Sequence, residues 1–105
     1  MLNEAQFLLA KVAEEASEVA QAAIKCQLYG ASHRYELYAT DNMERLIDEL
    51  VDLSVSVSSL LLEMGYPPID FENRKTGHFA KLQVSWANHQ TLLSPFKVPT
   101  ALKSI

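Results

Sequence analysis

Acidic side chains recur at helical spacing in two otherwise apolar stretches of the sequence. Glu15 and Glu18 stand three residues apart in the first, and Glu49 and Asp52 repeat this spacing in the second. Residues at this spacing share one face of a helix, about 5–6 Å apart. Buried like charges are strongly unfavourable without a countercharge, because each loses hydration and repels its neighbours. The four carboxylates therefore predict a divalent cation site, if the two stretches are helices that pack antiparallel to each other.

The type of ligand atom selects the metal. Carboxylate oxygens favour Mg²⁺ or Mn²⁺, or Ca²⁺ if enough ligands gather. Zinc is disfavoured, because Cys26 is the single cysteine and the three histidines lack paired ligand spacing. A di-iron carboxylate site needs Glu-x-x-His, which does not occur in this sequence. Protein-bound Mg²⁺ usually meets its substrate through phosphate oxygens, so the expected chemistry is phosphate chemistry.

The first acidic pair falls within a long predicted helix. Residues 2–28 contain no glycine or proline and are rich in helix-forming residues, and Gly30 supplies a stop. A helical wheel places Glu15 in the middle of an apolar stripe. The other members of the stripe are Leu8, Val12, Val19, Ala22 and Cys26.

The second acidic pair lies on a helix predicted from Asp41 or Asn42 to about Met64, closed by Gly65 and two prolines. Its predicted core stripe comprises Leu46, Leu50, Leu53, Val57, Leu60 and Leu61. A polar strip on the flank holds Arg45, Glu49, Asp52, Ser56, Ser59 and Glu63, and the opposite side carries Ile47, Val51, Val55 and Leu62. A chain this small has too few elements to cover two apolar faces, so we expect self-association.

A third helix is predicted from Phe71 or Gly77 to Leu92, with apolar residues spaced at three or four. The expected fold is all-α, a helical bundle with two long antiparallel core helices and a shorter third helix, completed by oligomerisation. We expect a helical domain over residues 1–92 and a C-terminal arm or tail over residues 93–105, which contain two prolines.

The two acidic motifs together resemble those of the MazG-like, all-α nucleoside triphosphate pyrophosphatase superfamily. That family carries Glu-Glu-x-x-Glu on one helix and Glu-x-x-Asp on the next. Here they stand as EEASE at residues 14–18 and ELVD at residues 49–52, and the similarity covers roughly residues 6–64. The resemblance implies a Mg²⁺-dependent enzyme, with Mn²⁺ as a second candidate ion. It would hydrolyse the α–β phosphoanhydride of a nucleoside or deoxynucleoside triphosphate and release a monophosphate and pyrophosphate.

The resemblance also implies roles for particular residues. The metal ligands would be Glu15, Glu18, Glu49 and Asp52, and Glu14 would be a further ligand or the base. Expected substrate-binding residues are Lys11, Tyr35, Tyr38, Asn73, Arg74, Lys75 and Trp86. The sequence departs from the family pattern in two places that bear on these roles. The connection between the motifs is long, which makes its tyrosines or His33 candidate base contacts. Thr76 follows Lys75 where an aromatic residue is common, so an ordinary solvated helix start is an equal interpretation of residues 73–75.

A tyrosine–histidine pair soon after the second motif is usual in the phosphoribosyl-ATP branch and absent here, which disfavours that branch. The active relatives are oligomers of helices, in agreement with a homodimer or homotetramer. The alternative function is a noncatalytic helical oligomer or a nucleotide-sensing accessory protein with the same bundle.

Charge and composition narrow the partners. A net charge of −4 and a pI near 5.2 argue against binding to a nucleic acid polymer, which requires a basic surface. The N-terminus lacks the pattern of a secretory signal, and the longest nearly uncharged run is too short to cross a bilayer, so no membrane role is expected. A single cysteine fits a reducing compartment, and we expect a cytoplasmic protein.

Overall fold

The structure, a computed structural model, describes residues 1–34 and 40–93, with side chains as far as residue 90. Within these ranges the chain forms three α-helices and no β-strand: α1 is Glu4–Tyr29, α2 is Asn42–Glu63 and α3 is Pro68–Leu93. The all-α prediction is confirmed. None of the three helices has the length and hydropathy that crossing a bilayer would require. The predicted C-terminal arm, apart from Leu93, lies outside the described residues.

Local side-chain chemistry sets the ends of α1. The Asn3 side chain accepts a hydrogen bond from the Gln6 amide at 2.8 Å, and the Gln6 side chain accepts one from the Asn3 amide at 3.0 Å. This reciprocal capping box satisfies amides that have no partner within the helix. At the other end, Gly30 takes φ 95°, a left-handed value that favours glycine, and its amide donates to the Cys26 carbonyl. The predicted stripe on α1 is confirmed, because all of its members are buried or half-buried.

The ends of α2 follow the sequence prediction. The Asp41 carboxylate accepts a hydrogen bond from the Glu44 amide at 2.8 Å, so Asp41 is the N-terminal cap. Gly65, with φ 72°, follows the last turn. Because Asp41 takes the capping role, the Asn42 side chain is available for a different contact, described below.

Helices α1 and α2 pack together in antiparallel orientation. The Asn42 side chain at the start of α2 donates to the Gly30 carbonyl just after α1, and Glu49 further along α2 meets Glu15 and Glu18 in the middle of α1. The facing apolar stripes of two successive helices are buried when the helices pack as such a hairpin.

The face of α2 that meets α1 is rotated from the predicted stripe. Leu50, a predicted core residue, is 46% exposed, whereas Ser56 of the predicted polar strip is buried. Leu46 is buried as predicted. The other members of the predicted stripe, Leu53, Val57, Leu60 and Leu61, are half-buried. The covered face extends from this stripe towards the polar strip and so includes Glu49.

Helix α3 corrects the prediction of a shorter third helix. It has 26 residues, as many as α1, and begins at Pro68 rather than at Phe71 or Gly77. Proline suits the first helical position, because its fixed φ matches the helix and its missing amide hydrogen would have no helical partner. Gly77 is tolerated inside the helix. The chain divides into two compact units after Gly65, and α3 lies in the second.

Candidate metal centre

Three of the predicted ligands meet in the first unit. Glu15 and Glu18 project from α1 and Glu49 from α2, and one carboxylate oxygen of each lies within 4.8 Å of the others. Glu15 and Glu18 share a helix face because they are three residues apart, and the antiparallel packing supplies Glu49. The name acidic triad is used below for Glu15, Glu18 and Glu49.

The triad is covered to different depths. Glu15 is buried, with 7% of its surface exposed, and Glu18 and Glu49 are half-buried. One oxygen of Glu15, Oε2, is buried and has no hydrogen-bond partner within the described part of the chain, and the same holds for Oε2 of Glu49. A buried acceptor without a donor costs free energy, on the order of 1–3 kcal/mol and more when it is charged. The geometry leaves two acceptors in need of a positively charged partner.

The carboxyl groups of Glu18 and Glu49 behave as a pair. The pKa of Glu18 is raised above its ordinary value, first because its carboxyl group shares a hydrogen bond with Glu49. Desolvation and the negative charge of Glu49 raise that pKa further, while a hydrogen bond with Glu15 lowers it. A proton between the two groups is thus a substitute for a bound cation.

Lys11 supplies part of the countercharge. Its ammonium nitrogen lies 3.3 Å from Oε2 of Glu14 and 3.3 Å from Oε1 of Glu15. These contacts raise the pKa of Lys11, with the hydrogen bond to Glu14 as the largest cause. Lys11 contacts Oε1 of Glu15, whereas the buried Oε2 has no hydrogen-bond partner in the described part of the chain.

The donor set fits a hard divalent cation. Three carboxylates supply oxygen only, which is the chemistry that Mg²⁺ and Mn²⁺ prefer, and the unpartnered Oε2 atoms are the kind of acceptors that such an ion would satisfy. Mg²⁺ usually keeps several waters, so three protein oxygens are sufficient for its binding.

A cleft of about 230 Å³ opens between α1 and α2 beside the triad. Glu18 and Glu49 line its acidic end, and two basic residues, Lys25 and Arg45, contribute to its walls. Asn42, Gln21 and Ala22 complete the lining. The described lining of the cleft therefore contains both signs of charge and no aromatic side chain.

The remaining predicted site residues are placed as follows. Asp52 is exposed and is not one of the three acids that meet, so its role as fourth ligand stays a prediction. Glu14 is exposed and bound to Lys11. Tyr35 and Tyr38 lie outside the described residues. His33 stacks at 5.9 Å on the ring of Tyr29.

The predicted substrate-binding residues after Gly65 all belong to α3. Asn73, Arg74, Lys75 and Trp86 are exposed. Arg74 lies 5.6 Å from the centre of the Tyr66 ring, and Lys75 pairs with Glu72 at 3.0 Å. Their part in substrate binding stays a prediction.

Sequence reasoning missed the basic residues of the cleft. Lys25 comes seven residues after Glu18, and Arg45 four before Glu49. Residues at these spacings share a helix face. Extending each acidic face by one or two turns would have found both.

No protein-family model, curated protein or solved structure matches the chain. The fold and the site define an all-α protein with three carboxylates gathered between two antiparallel helices.

Proposed function

We propose that the protein is a Mg²⁺-dependent nucleoside triphosphate pyrophosphohydrolase, releasing a nucleoside monophosphate and pyrophosphate. The acidic triad carries the proposal, because one member, Glu15, is nine-tenths buried, has one unpartnered oxygen among the described residues and lies close to the other two acids. Such an arrangement is costly for a merely structural cluster and is expected for groups that bind a cation. The motif resemblance supplies the reaction class.

The residues of this chain would divide the work. Glu15, Glu18 and Glu49 would hold Mg²⁺ or Mn²⁺, which when bound draws negative charge from phosphate oxygens and lowers the pKa of a bound water. Glu14, exposed beside Glu15, would orient the attacking water and accept its proton. The water oxygen would form a bond to the α-phosphorus. The bond between this phosphorus and the oxygen that bridges it to the β-phosphorus would break, and pyrophosphate would leave.

Oligomerisation is part of the proposal. Among the described residues of the first unit, Cys26 and Leu46 are the only buried apolar residues, each 8% exposed. Four apolar side chains of α2 remain about half exposed or more: Ile47, Val51, Val55 and Leu62. A chain of this size gains enough burial if α1 and α2 form the core of a homodimer or homotetramer. We place this assembly in the cytoplasm, with nucleotide-pool cleaning or nucleotide supply as its role.

The direct test is pyrophosphate release from a panel of nucleoside and deoxynucleoside triphosphates with Mg²⁺. We expect release from at least one of them, and we expect Glu18→Gln to abolish it. Glu63→Gln, which removes an exposed carboxylate at the end of α2, is the matched control and should keep activity. Asp52→Asn separately tests the fourth ligand of the motif. No release from any nucleotide would contradict the enzyme.

The second candidate is a noncatalytic helical oligomer or nucleotide sensor, favoured by the large exposed apolar surface of α2. It shares the metal site but not turnover. Mg²⁺ or Mn²⁺ at millimolar concentration should raise the melting temperature in either case, because the ion binds only the folded triad. Unchanged melting with both ions would argue against the metal site itself.

A further inference from the structure

We propose that the cleft between α1 and α2 binds a linear phosphate chain, with Arg45 and Lys25 as its contacts beyond the metal. This inference rests on the proposed metal site and adds two residues that belong to neither acidic motif. It also states that the phosphates of the substrate, and not its base, occupy the cleft.

The size and lining of the cleft support a phosphate chain. Pockets that enclose a whole drug-sized ligand measure about 300–1,000 Å³, whereas this cleft measures about 230 Å³. It therefore suits one part of a nucleotide. A base needs an aromatic or apolar surface for stacking, and among the described residues that line the cleft only Ala22 is apolar.

The order of charges along the cleft favours a chain over a single phosphate. Glu18 and Glu49 mark the metal end. Arg45 lies four residues from Glu49, about one helical turn or 5–6 Å along the axis, and Lys25 lies seven residues from Glu18, about two turns. Because α1 and α2 are antiparallel, both steps lead towards the same end of the cleft. A cation followed by two basic side chains at increasing distance matches an anion with several charges in a row.

Charge complementarity also explains why basic residues stand beside carboxylates that need a cation. A phosphate chain alone would be repelled by Glu18 and Glu49, whereas a cation held by these carboxylates would attract it on the side where Lys25 and Arg45 lie. Bound together, the two satisfy both ends of the cleft.

The test uses calorimetric titration of the full chain with phosphate, pyrophosphate and tripolyphosphate in the presence of Mn²⁺. We expect affinity to increase with chain length. Charge-assisted hydrogen bonds contribute about 1.5–3 kcal/mol, so Arg45→Gln or Lys25→Gln should weaken tripolyphosphate binding about tenfold or more. Lys25→Gln should also remove most of the advantage of tripolyphosphate over pyrophosphate. Lys81→Gln makes the same charge change on exposed α3 and should bind as the unchanged protein does. It is the control variant, because heat from chelation of Mn²⁺ by the phosphates in solution is common to all the proteins.

The outcomes separate this inference from the proposed function. Equal tripolyphosphate binding by the unchanged protein and both variants, with circular dichroism showing intact helices, would overturn the inference. Pyrophosphate release from nucleotides would stand regardless of that result. Absence of tripolyphosphate binding to the unchanged protein would also overturn the inference that the cleft binds a phosphate chain. A third outcome is binding that increases with chain length and needs Lys25 and Arg45, in a protein that hydrolyses no nucleotide. This outcome would support phosphate binding in the cleft and contradict the proposed enzymatic activity.

Discussion

At the scale of single residues, the interaction between Glu18 and Glu49 makes the stability of the folded protein depend on pH. Their carboxyl groups share a hydrogen bond that raises the pKa of Glu18. A carboxyl group with a raised pKa in the folded state holds its proton more tightly than it does in the unfolded chain. Its contribution to stability is therefore highest below the unfolded pKa, and it falls as the pH rises through the folded pKa.

The corresponding prediction concerns Glu49→Gln in metal-free protein. Removing the charge at position 49 relieves the repulsion, so the melting temperature at about neutral pH should rise by a few degrees. The loss of stability that accompanies Glu18 deprotonation, as the pH rises through its raised pKa, should become smaller. Thermal melts with a chelator over a series of pH values provide the measurement.

Glu63→Gln serves as the control, since Glu63 is exposed at the end of α2. It should leave the pH profile as it was. A Glu49→Gln protein that melts at a lower temperature than the unchanged protein at neutral pH would contradict the proposed repulsion between the carboxyl groups of Glu18 and Glu49. The same variant should gain less stability from Mg²⁺, because one of the three ligands is weakened.

At the scale of helices, Asn42 joins the start of α2 to the end of α1. Its side chain is 2% exposed and donates to the carbonyls of Gly30, at 3.1 Å, and Lys25, at 3.5 Å. The Gly30 carbonyl lies just beyond the last turn of α1, where it also accepts a hydrogen bond from the His33 amide at 3.3 Å. The contact fixes how the two helices are placed, and with them Glu18 and Glu49.

We therefore expect Asn42→Asp to destabilise the protein by about 1–3 kcal/mol, because a carboxylate has no hydrogen to donate and both hydrogen bonds from the buried position 42 are lost. Urea unfolding followed by circular dichroism would measure it. Asn73→Asp makes the same change at an exposed position of α3 and should cost less than about 0.5 kcal/mol. Equal stability of the two variants would show that the Asn42 contacts do not hold the helices.

The helices also show which part of the site the sequence could predict. The predicted burial of Glu15 is confirmed, because its position within the apolar stripe of α1 depends only on helical periodicity. The rotation of α2 was not predictable in this way, since both of its sides are apolar and the choice between them depends on packing against α1. That rotation exposes Leu50 and buries Ser56, and Asp52 is exposed and lies outside the triad. The early start of α3 was missed because its first turn contains a proline and lacks a strong apolar period.

At the scale of the whole molecule, exposed apolar side chains are the main feature that one chain leaves unexplained. Ile47, Val51, Val55 and Leu62 lie on the side of α2 opposite the triad and are 49–71% exposed. On α3, Phe79, Leu82 and Val84 are more than 60% exposed. Continuous apolar surface of this kind marks an interaction surface in stable proteins, and a second copy is the partner that the proposed function names.

Light scattering coupled to size exclusion would test this association. A monomer has a mass of 11.8 kDa, and we expect a mass of at least twice that value at micromolar concentration. Val51→Glu places a charge in the middle of the apolar face of α2, and an unpaired charge in an interface costs several kcal/mol. Each 1.4 kcal/mol weakens association about tenfold, so the variant should shift towards the monomer. Gln83→Glu adds the same charge on exposed α3 and should keep the oligomer. A monomeric unchanged protein, or an unaltered oligomer in Val51→Glu, would show that the face of α2 is not the contact between copies.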